Sequence, residues 1–213
     1  MTRRLPVYLL IDTSGSMKGE PIESVKVGLE AMVSTLQHDP FALESVYLSL
    51  ITFDKDVTLL FPLTPIDEVV IPEIKTPDFG PTHLGKALEL MCQRIDAEFI
   101  RNTPAAKGDW LPVCLVMTDG KPSDIMVFEN MVQEISKRRF GQFIACAAGP
   151  QADVSALKKL ASSVYKLENL DSDSFIKLFQ WVSSSIDDCN RSQGIGSDSA
   201  ELPPPPSEIN LVL

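Results

Sequence analysis

Three oxygen-bearing side chains follow one strongly apolar segment near the start of the chain. Asp12, Ser14 and Ser16 occupy alternate positions directly after the apolar run 5–11. Such a run is typical of a parallel strand buried on both faces, and in open α/β sheets ligands bind at the carboxyl ends of these strands. Oxygen atoms on a short turn suit a hard divalent cation, Mg²⁺ or Mn²⁺, and suit Zn²⁺ or copper poorly. The segment therefore predicts a cation site.

Two later segments carry residues that could complete such a site. Thr82 lies in the segment GPTHLGKAL at 80–88, and Asp119 lies in the segment CLVMTDG at 114–120. Together with D-x-S-x-S, they resemble in order the three motif segments of the von Willebrand factor A domain, although Pro81 replaces the second Gly of the family's G-G-T loop. Three separated pieces are a stronger signal than D-x-S-x-S alone, because Asp and Ser are common turn residues. The resemblance implies five ligands in what the family calls a metal-ion-dependent adhesion site: Asp12, Ser14, Ser16, Thr82 and Asp119.

The resemblance also implies a fold and a way of binding. Members of the family have a three-layer αβα, Rossmann-like fold with a mostly parallel central sheet and one antiparallel edge strand. The cation keeps one coordination position for an outside oxygen, typically an Asp or Glu carboxylate of a bound protein. We therefore expect a protein-binding module without enzymatic turnover, in which Mg²⁺ or Mn²⁺ bridges to the partner.

Three segments resemble one bacterial subfamily. VYLLIDTSGSM at 7–17, ITF at 51–53 and GDWLP at 108–112 are similar to the TerY-like proteins of tellurium-resistance and stress gene clusters. The likeness covers about residues 5–189 and leaves the C-terminal segment unmatched. TerY-like proteins are often encoded beside a protein kinase and a PP2C-type phosphatase. The resemblance therefore implies a scaffold in a phosphorylation-linked stress response, with one of these enzymes as its partner.

Two other uses of the same residues stay open: a metal-dependent phosphate-ester hydrolase, and a structural subunit whose cation only stabilises the loops. Hydrolysis needs a general base, and of the two histidines only His83 lies near the predicted site. We expect His83 to be a solvated residue in the first turn of a helix. An aspartyl-phosphate phosphatase would need a second Asp where Ser14 stands, and a dinucleotide site would need G-x-G-x-x-G where Gly15 is isolated.

Hydrophobic periodicity predicts the elements that position these residues. Four prolines between 64 and 81 indicate a surface loop that delivers Thr82 to the site. Ser123 and Asp124 are predicted to cap the helix that follows them. The second and third strands are predicted to form a hairpin with an antiparallel edge strand. The predicted elements are strand 5–11, helix 22–36, strands 45–53 and 57–63, helix 84–99, strand 110–118, helix 125–135, strand 142–148, helix 154–160, strand 164–167 and helix 175–186.

Composition narrows the class further. The chain has 213 residues, 44% of them apolar, and a net charge of −10. An acidic chain of this kind is not expected to bind nucleic acid. Because we find no signal sequence and no apolar run of membrane-spanning length, we expect a cytoplasmic protein that does not bind a membrane. The four cysteines are far apart in apolar contexts, so we expect buried free thiols.

The composition changes near residue 190. We expect residues 1–189 to form one von Willebrand factor A domain and 190–213 to form a flexible tail rich in Ser, Gly and Pro. The apolar segment 209–213 could dock on its own domain or on a partner. Ser197 and Ser199 could be modified, and Glu208 could offer its carboxylate to the metal site of the same or a neighbouring copy.

Overall fold

Seven strands form one sheet at the centre of the molecule. The computed structural model describes residues 3–149, 152–161, 163–193, 204–206 and 209–212. The strands in chain order are β1 Leu5–Asp12, β2 Val46–Phe53, β3 Val57–Pro65, β4 Val113–Thr118, β5 Gln142–Ala148, β6 Val164–Leu167 and β7 Ile209–Val212. They lie side by side in the order β3-β2-β1-β4-β5-β6-β7. The four central pairings are parallel, whereas β3 pairs antiparallel with β2 and β7 pairs antiparallel with β6.

Helices cover both faces of this sheet. In chain order they are α1 Glu20–Gln37, α2 Pro40–Ser45, α3 Leu84–Glu98, α4 Ile125–Ser136, α5 Val154–Leu160 and α6 Ser172–Gln193. Every residue of β1 is buried, and its successive side chains enter two separate cores. Leu9 belongs to the core that α1 and α6 share, whereas Leu10 belongs to the core of α3, α4 and α5. The predicted three-layer α/β fold with a mostly parallel sheet is confirmed.

Helix α2 is the one described α-helix that periodicity did not predict. The predicted helix 22–36 was followed directly by the predicted strand 45–53, with no helix between them. In the structure the Asp39 carboxylate accepts hydrogen bonds from the N–H groups of Phe41 (2.7 Å) and Ala42 (3.0 Å), and Pro40 is the first helical residue. Asp followed by Pro suits a helix start as well as a helix stop, so a second helix follows directly.

The C-terminal segment requires a correction to the predicted boundary. Helix α6 continues to Gln193, and Ile209–Val212 is a strand of the sheet rather than part of a flexible tail. The apolar end therefore docks on its own domain, where Ile209 is buried and the backbone pairs with the free edge of β6. The residues proposed for modification, Ser197 and Ser199, and the proposed ligand Glu208 lie outside the described residues.

The segment GDWLP has a structural role in this fold. The buried Asp109 carboxylate accepts two hydrogen bonds from the Arg4 guanidinium, at 2.9 and 2.7 Å, and one from the Ile100 N–H at 2.8 Å. The Arg3 guanidinium lies 3.4 Å from the ring centroid of Trp110. These contacts fasten the start of β1 beside the segment leading into β4. The resemblance of this segment to TerY-like proteins is therefore evidence for a shared fold rather than for a shared function.

Cys92, Cys114 and Cys146 are buried free thiols, whereas the side chain of Cys189 lies outside the described part of the chain. Burial raises the pKa of the Cys92 thiol to about 11, so this thiol is protonated at neutral pH. In the ranges that the structure describes, no helix has both the length and the apolar character needed to cross a membrane.

Candidate metal centre

Asp12 is the last residue of β1 and is fully buried at the carboxyl edge of the sheet. One of its carboxylate oxygens accepts a hydrogen bond from the Ser14 N–H at 2.8 Å, and the other accepts one from the Thr118 hydroxyl at 2.5 Å. Because β1 and β4 pair in parallel, the chain segments that follow them leave the sheet at neighbouring positions. The pairing therefore places Asp119, one residue beyond β4, close to Asp12.

The two serines lie on a single turn of 3₁₀-helix, Gly15–Met17, that follows β1. The Ser14 and Ser16 hydroxyl oxygens are 3.1 Å apart, the first buried and the second exposed to solvent. A Cβ atom at Gly15 would lie 2.7 Å from the Cα of Phe79, so only glycine allows this close approach of the loop before Thr82. The turn and that loop thus pack directly against each other.

Thr82 is buried, and its backbone is tied to the loop after β4. Its N–H donates to the Ser123 hydroxyl at 3.1 Å, and the Ser123 N–H donates to the Thr82 carbonyl at 2.8 Å. A Cβ atom built on Gly120 would lie 3.5 Å from the Thr82 hydroxyl oxygen. The threonine hydroxyl therefore faces the T-D-G turn that carries Asp119.

Asp119 contributes an unusual buried oxygen. Its Oδ1 atom is buried and has no hydrogen-bond partner in the described part of the protein. Its charge also acts on Asp12, whose pKa is raised to about 6; burial is the main cause, the hydrogen bonds from Thr118 and Ser14 oppose it, and Asp119 adds to it. Two neighbouring carboxylates, one fully buried and one with a buried unbonded oxygen, are unfavourable unless a positive charge compensates them. This donor set fits a divalent cation.

The hydroxyl groups are essential to that fit. No group of three or more His, Cys, Asp and Glu side chains suited to a metal occurs among the described residues. His83 is half-buried at the N-cap of α3, where its N–H donates to the Asp54 carbonyl at 2.8 Å. The one polar contact that the structure describes for its ring is with the Lys86 ammonium, 3.5 Å from Nδ1. Nothing in this arrangement positions His83 as a general base.

The prediction that the Asp124 side chain caps the helix that follows it is wrong. The structure shows no side-chain cap on α4; instead the Asp124 carboxylate accepts hydrogen bonds from the N–H groups of Gly85 (3.0 Å) and Lys86 (2.8 Å) in the first turn of α3. A Cβ atom at Gly85 would lie 2.4 Å from the Phe128 backbone nitrogen, so the helix starts touch. The signal in the sequence that could have indicated this contact is Gly85, a glycine in the first turn of a predicted helix.

Charged and apolar residues surround the five predicted residues. Lys18 pairs with Asp78, and Lys121 pairs with Asp153 at 2.8 Å. Three large apolar side chains near these residues are solvent-exposed, one in the loop before Thr82 and two in the first turn of α4. They are Phe79 (84% exposed), Ile125 (61%) and Met126 (78%).

The fold and the arrangement of carboxylates and hydroxyls define a class, the three-layer α/β domains with an oxygen-lined site at the carboxyl edge of the sheet. Residues 7–179 match the family model of the von Willebrand factor type A domain, and the chain belongs to this family. Matrilin-3 from Gallus gallus is 27% identical over 165 residues, which are 75% of this chain and 34% of matrilin-3. The chain thus spans about a third of the length of that relative.

Solved structures show the same fold at low sequence identity. A von Willebrand factor type A protein from Catenulispora acidiphila has a TM-score of 0.64 at 14% identity, covering 87% of this chain and 43% of that one. Proximal thread matrix protein 1 from the mussel byssus, solved with a zinc-occupied MIDAS motif, has a TM-score of 0.58 at 18% identity, covering 87% of this chain and 48% of that one. Zinc is thus found at this motif in the mussel protein.

Proposed function

We propose that this chain is a metal-dependent protein-binding module. In it, a divalent cation held by Asp12, Ser14, Ser16, Thr82 and Asp119 bridges to a carboxylate of a protein partner. The observation that carries the proposal is the buried Asp119 oxygen, which has no hydrogen-bond partner among the residues that the structure describes, next to the buried carboxylate of Asp12. A cation would neutralise both groups, and its remaining coordination position would accept an outside oxygen. We propose Mg²⁺ or Mn²⁺ as the ion, because the five side chains supply only oxygen.

The exposed apolar side chains near the site support a protein as the partner. Phe79 borders the serine turn, and Ile125 and Met126 begin the helix after the Asp119 loop. Exposed aromatic and methionine side chains are enriched in protein interfaces, and apolar groups around a polar centre are typical of their architecture. A partner would then combine one Asp or Glu side chain for the cation with apolar groups for this rim.

The cellular context is the finer part of the proposal. The resemblance to TerY-like proteins supports a bacterial, cytoplasmic scaffold in the response to tellurite or other chemical stress. A protein kinase or a PP2C-type phosphatase of the same gene cluster would be the partner. This resemblance rests on the segments 7–17, 51–53 and 108–112. Because segment 108–112 stabilises the fold, the evidence for a TerY-like function comes mainly from segment 7–17.

Calorimetry tests the proposal directly. Mg²⁺, Mn²⁺ and Zn²⁺ are titrated into chelator-treated wild type and Asp12→Ala, and each form is used to capture partners from lysate with and without metal. We expect saturable cation binding that Asp12→Ala removes, and a partner captured only in the presence of metal. Cation binding that is equal in both forms would contradict the proposed site.

Two further measurements separate the alternatives. Steady, metal-dependent turnover of a phosphate ester by the wild type, lost in Asp12→Ala, would establish the hydrolase. A partner whose affinity is the same in Mg²⁺ and in EDTA would favour a structural subunit whose cation only stabilises the loops. We expect neither result.

A further inference from the structure

A second candidate site lies at the opposite end of the α3–α4 helix pair. A cleft of about 370 Å³ opens there between the C-terminal ends of the two helices and the segment leading into β4. Thr82 lies two residues before Leu84, the first residue of α3, and Phe99, in the cleft, directly follows its last residue. At 1.5 Å per residue, a helix of 15 residues separates the two places by about 22 Å. The cleft is therefore distinct from the metal centre.

The cleft has a marked positive charge for such an acidic chain. Four of the chain's 19 basic residues line it, and a single acidic residue, Asp96, joins them. Lys137 also pairs with Glu134 at 2.7 Å. With these two acids counted, the local charge is 4 − 2 = +2, whereas the whole chain carries −10. The basic residues are Arg101, Lys137, Arg138 and Arg139.

One guanidinium in the cleft is held in a defined position. Arg138 donates two hydrogen bonds to the Asp96 carboxylate, at 2.6 and 2.8 Å, and these bonds hold the pKa of Asp96 below its usual range. Arg101 is exposed and forms no hydrogen bond or ion pair among the described residues, although its charge acts on Asp96. Arg101 is thus available to a ligand beside a pre-positioned neighbour.

The favourable interaction of basic residues with helix C-termini does not explain the whole arrangement. It accounts for Lys137, Arg138 and Arg139, which follow the last residue of α4. It does not account for Arg101 or for the apolar surface between the charges. That surface comprises the buried Ile95 and Pro112 and the half-buried Phe99, Leu111 and Phe140. A cleft of this size with an apolar floor and a few convergent charged groups is typical of small-ligand sites.

We propose that this cleft binds an organic anion that carries a phosphate or carboxylate on an aromatic body. The anionic group would lie against Arg101 and the neighbouring guanidinium groups, and the ring would lie against Phe99 and Phe140. Such chemistry could come from a free aromatic phosphate or from a phosphorylated tyrosine of a protein. The proposal does not depend on the metal centre.

In the test, phenyl phosphate is titrated into the full chain in EDTA. Binding is measured by calorimetry and by the NMR chemical shifts of the aromatic residues. We expect millimolar or tighter binding that weakens about fivefold or more in Arg101→Gln, since a charged hydrogen bond is lost. Lys75→Gln, which removes the same charge from an exposed residue outside the cleft, should leave the affinity unchanged. Inorganic phosphate and benzyl alcohol should both bind more weakly, because each lacks one half of the ligand.

Two results would overturn the proposal. One is no binding of phenyl phosphate at 10 mM, a concentration of about ten times the weakest expected dissociation constant. The other is an equal affinity of Arg101→Gln and Lys75→Gln. If phenyl phosphate binds as expected, a phosphotyrosine peptide distinguishes the sources of the ligand. If the peptide binds more than about tenfold tighter than phenyl phosphate, a difference of about 1.4 kcal/mol, the natural ligand is a polypeptide. If the peptide binds equally or more weakly, the natural ligand is a free small molecule.

Discussion

The two ends of the α3–α4 helix pair carry opposite charges for the same electrostatic reason. Carboxylates gather at the N-terminal ends and basic side chains at the C-terminal ends, in both cases complementary to the helix dipoles. Their environments differ. At the first end Asp12 is buried and one Asp119 oxygen has no hydrogen-bond partner in the described ranges, whereas at the second end Arg138 is paired and Arg101 is exposed. The charges of Asp12 and Asp119 therefore lower the stability of the metal-free protein, whereas the charges at the second end have little effect on it.

The largest effect is expected from supplying the missing charge at the first end. Mg²⁺ or Mn²⁺ at a hundred times its dissociation constant should raise the free energy of unfolding by about 2.7 kcal/mol. Asp119→Ala should remove this gain, because it deletes the carboxylate with the unbonded oxygen. Chemical denaturation with and without metal measures both quantities. An equal gain in Asp96→Ala and in Asp119→Ala would contradict the assignment of the site.

The second prediction removes a charge instead of adding one. In chelator, Asp12→Asn should raise the free energy of unfolding by about 2 kcal/mol at pH 8, because the folded protein no longer buries a carboxylate. The pKa of Asp12 is raised to about 6 in the folded protein. The wild type therefore loses this stability as the pH rises from about 4 to 6, and the gain from Asn should vanish near pH 4. If Asp12→Asn raises the free energy of unfolding equally at pH 4 and pH 8, the Asp12 carboxylate is not the cause of the gain.

The third prediction concerns the contact that joins the helix starts. Asp124→Ala should lower the free energy of unfolding by about 1 to 2 kcal/mol, because two N–H groups of α3 lose their acceptor. It should also weaken cation binding, since Thr82 lies two residues before the first residue of α3. Asp39→Ala is the matched control: it removes a cap with two similar hydrogen bonds, on α2. If Asp39→Ala weakens cation binding as much as Asp124→Ala does, Asp124 does not position Thr82 for the cation.

The smallest effect is expected at the second end. Asp96→Asn should change the free energy of unfolding by less than about 1 kcal/mol, because its ion pair with Arg138 is exposed to solvent. Urea denaturation of wild type and variant measures this difference. A loss as large as that of Asp124→Ala would remove the contrast between the two ends.

Much of the fold could be predicted from local patterns. The predicted bounds of β5, α5 and β6 coincide with those in the structure, since short apolar runs between turn residues are unambiguous there. The motif segments placed Asp12 and Asp119 at strand ends, and parallel pairing of their strands brings them together. Helix α2 was missed because Asp39-Pro40 ends one helix and begins the next.

The missed features depend on residues that are distant in sequence. Asp124 bonds to α3 rather than to its own helix, 38 and 39 residues away. The Ile209–Val212 strand pairs with β6, more than 40 residues earlier, so its composition alone resembled the end of a tail. The cleft combines Arg101 with residues 137–140, and no periodicity connects them.

The sequence by itself determined the elements, the order of the motif segments and the five residues predicted to bind a cation. These are local properties, because apolar periodicity and turn residues act over a few positions. Tertiary structure decided which carboxylate oxygen stays unbonded, which helix Asp124 caps and where the basic side chains converge. Burial and long-range hydrogen bonds set these outcomes, and both arise only when distant segments pack against one another.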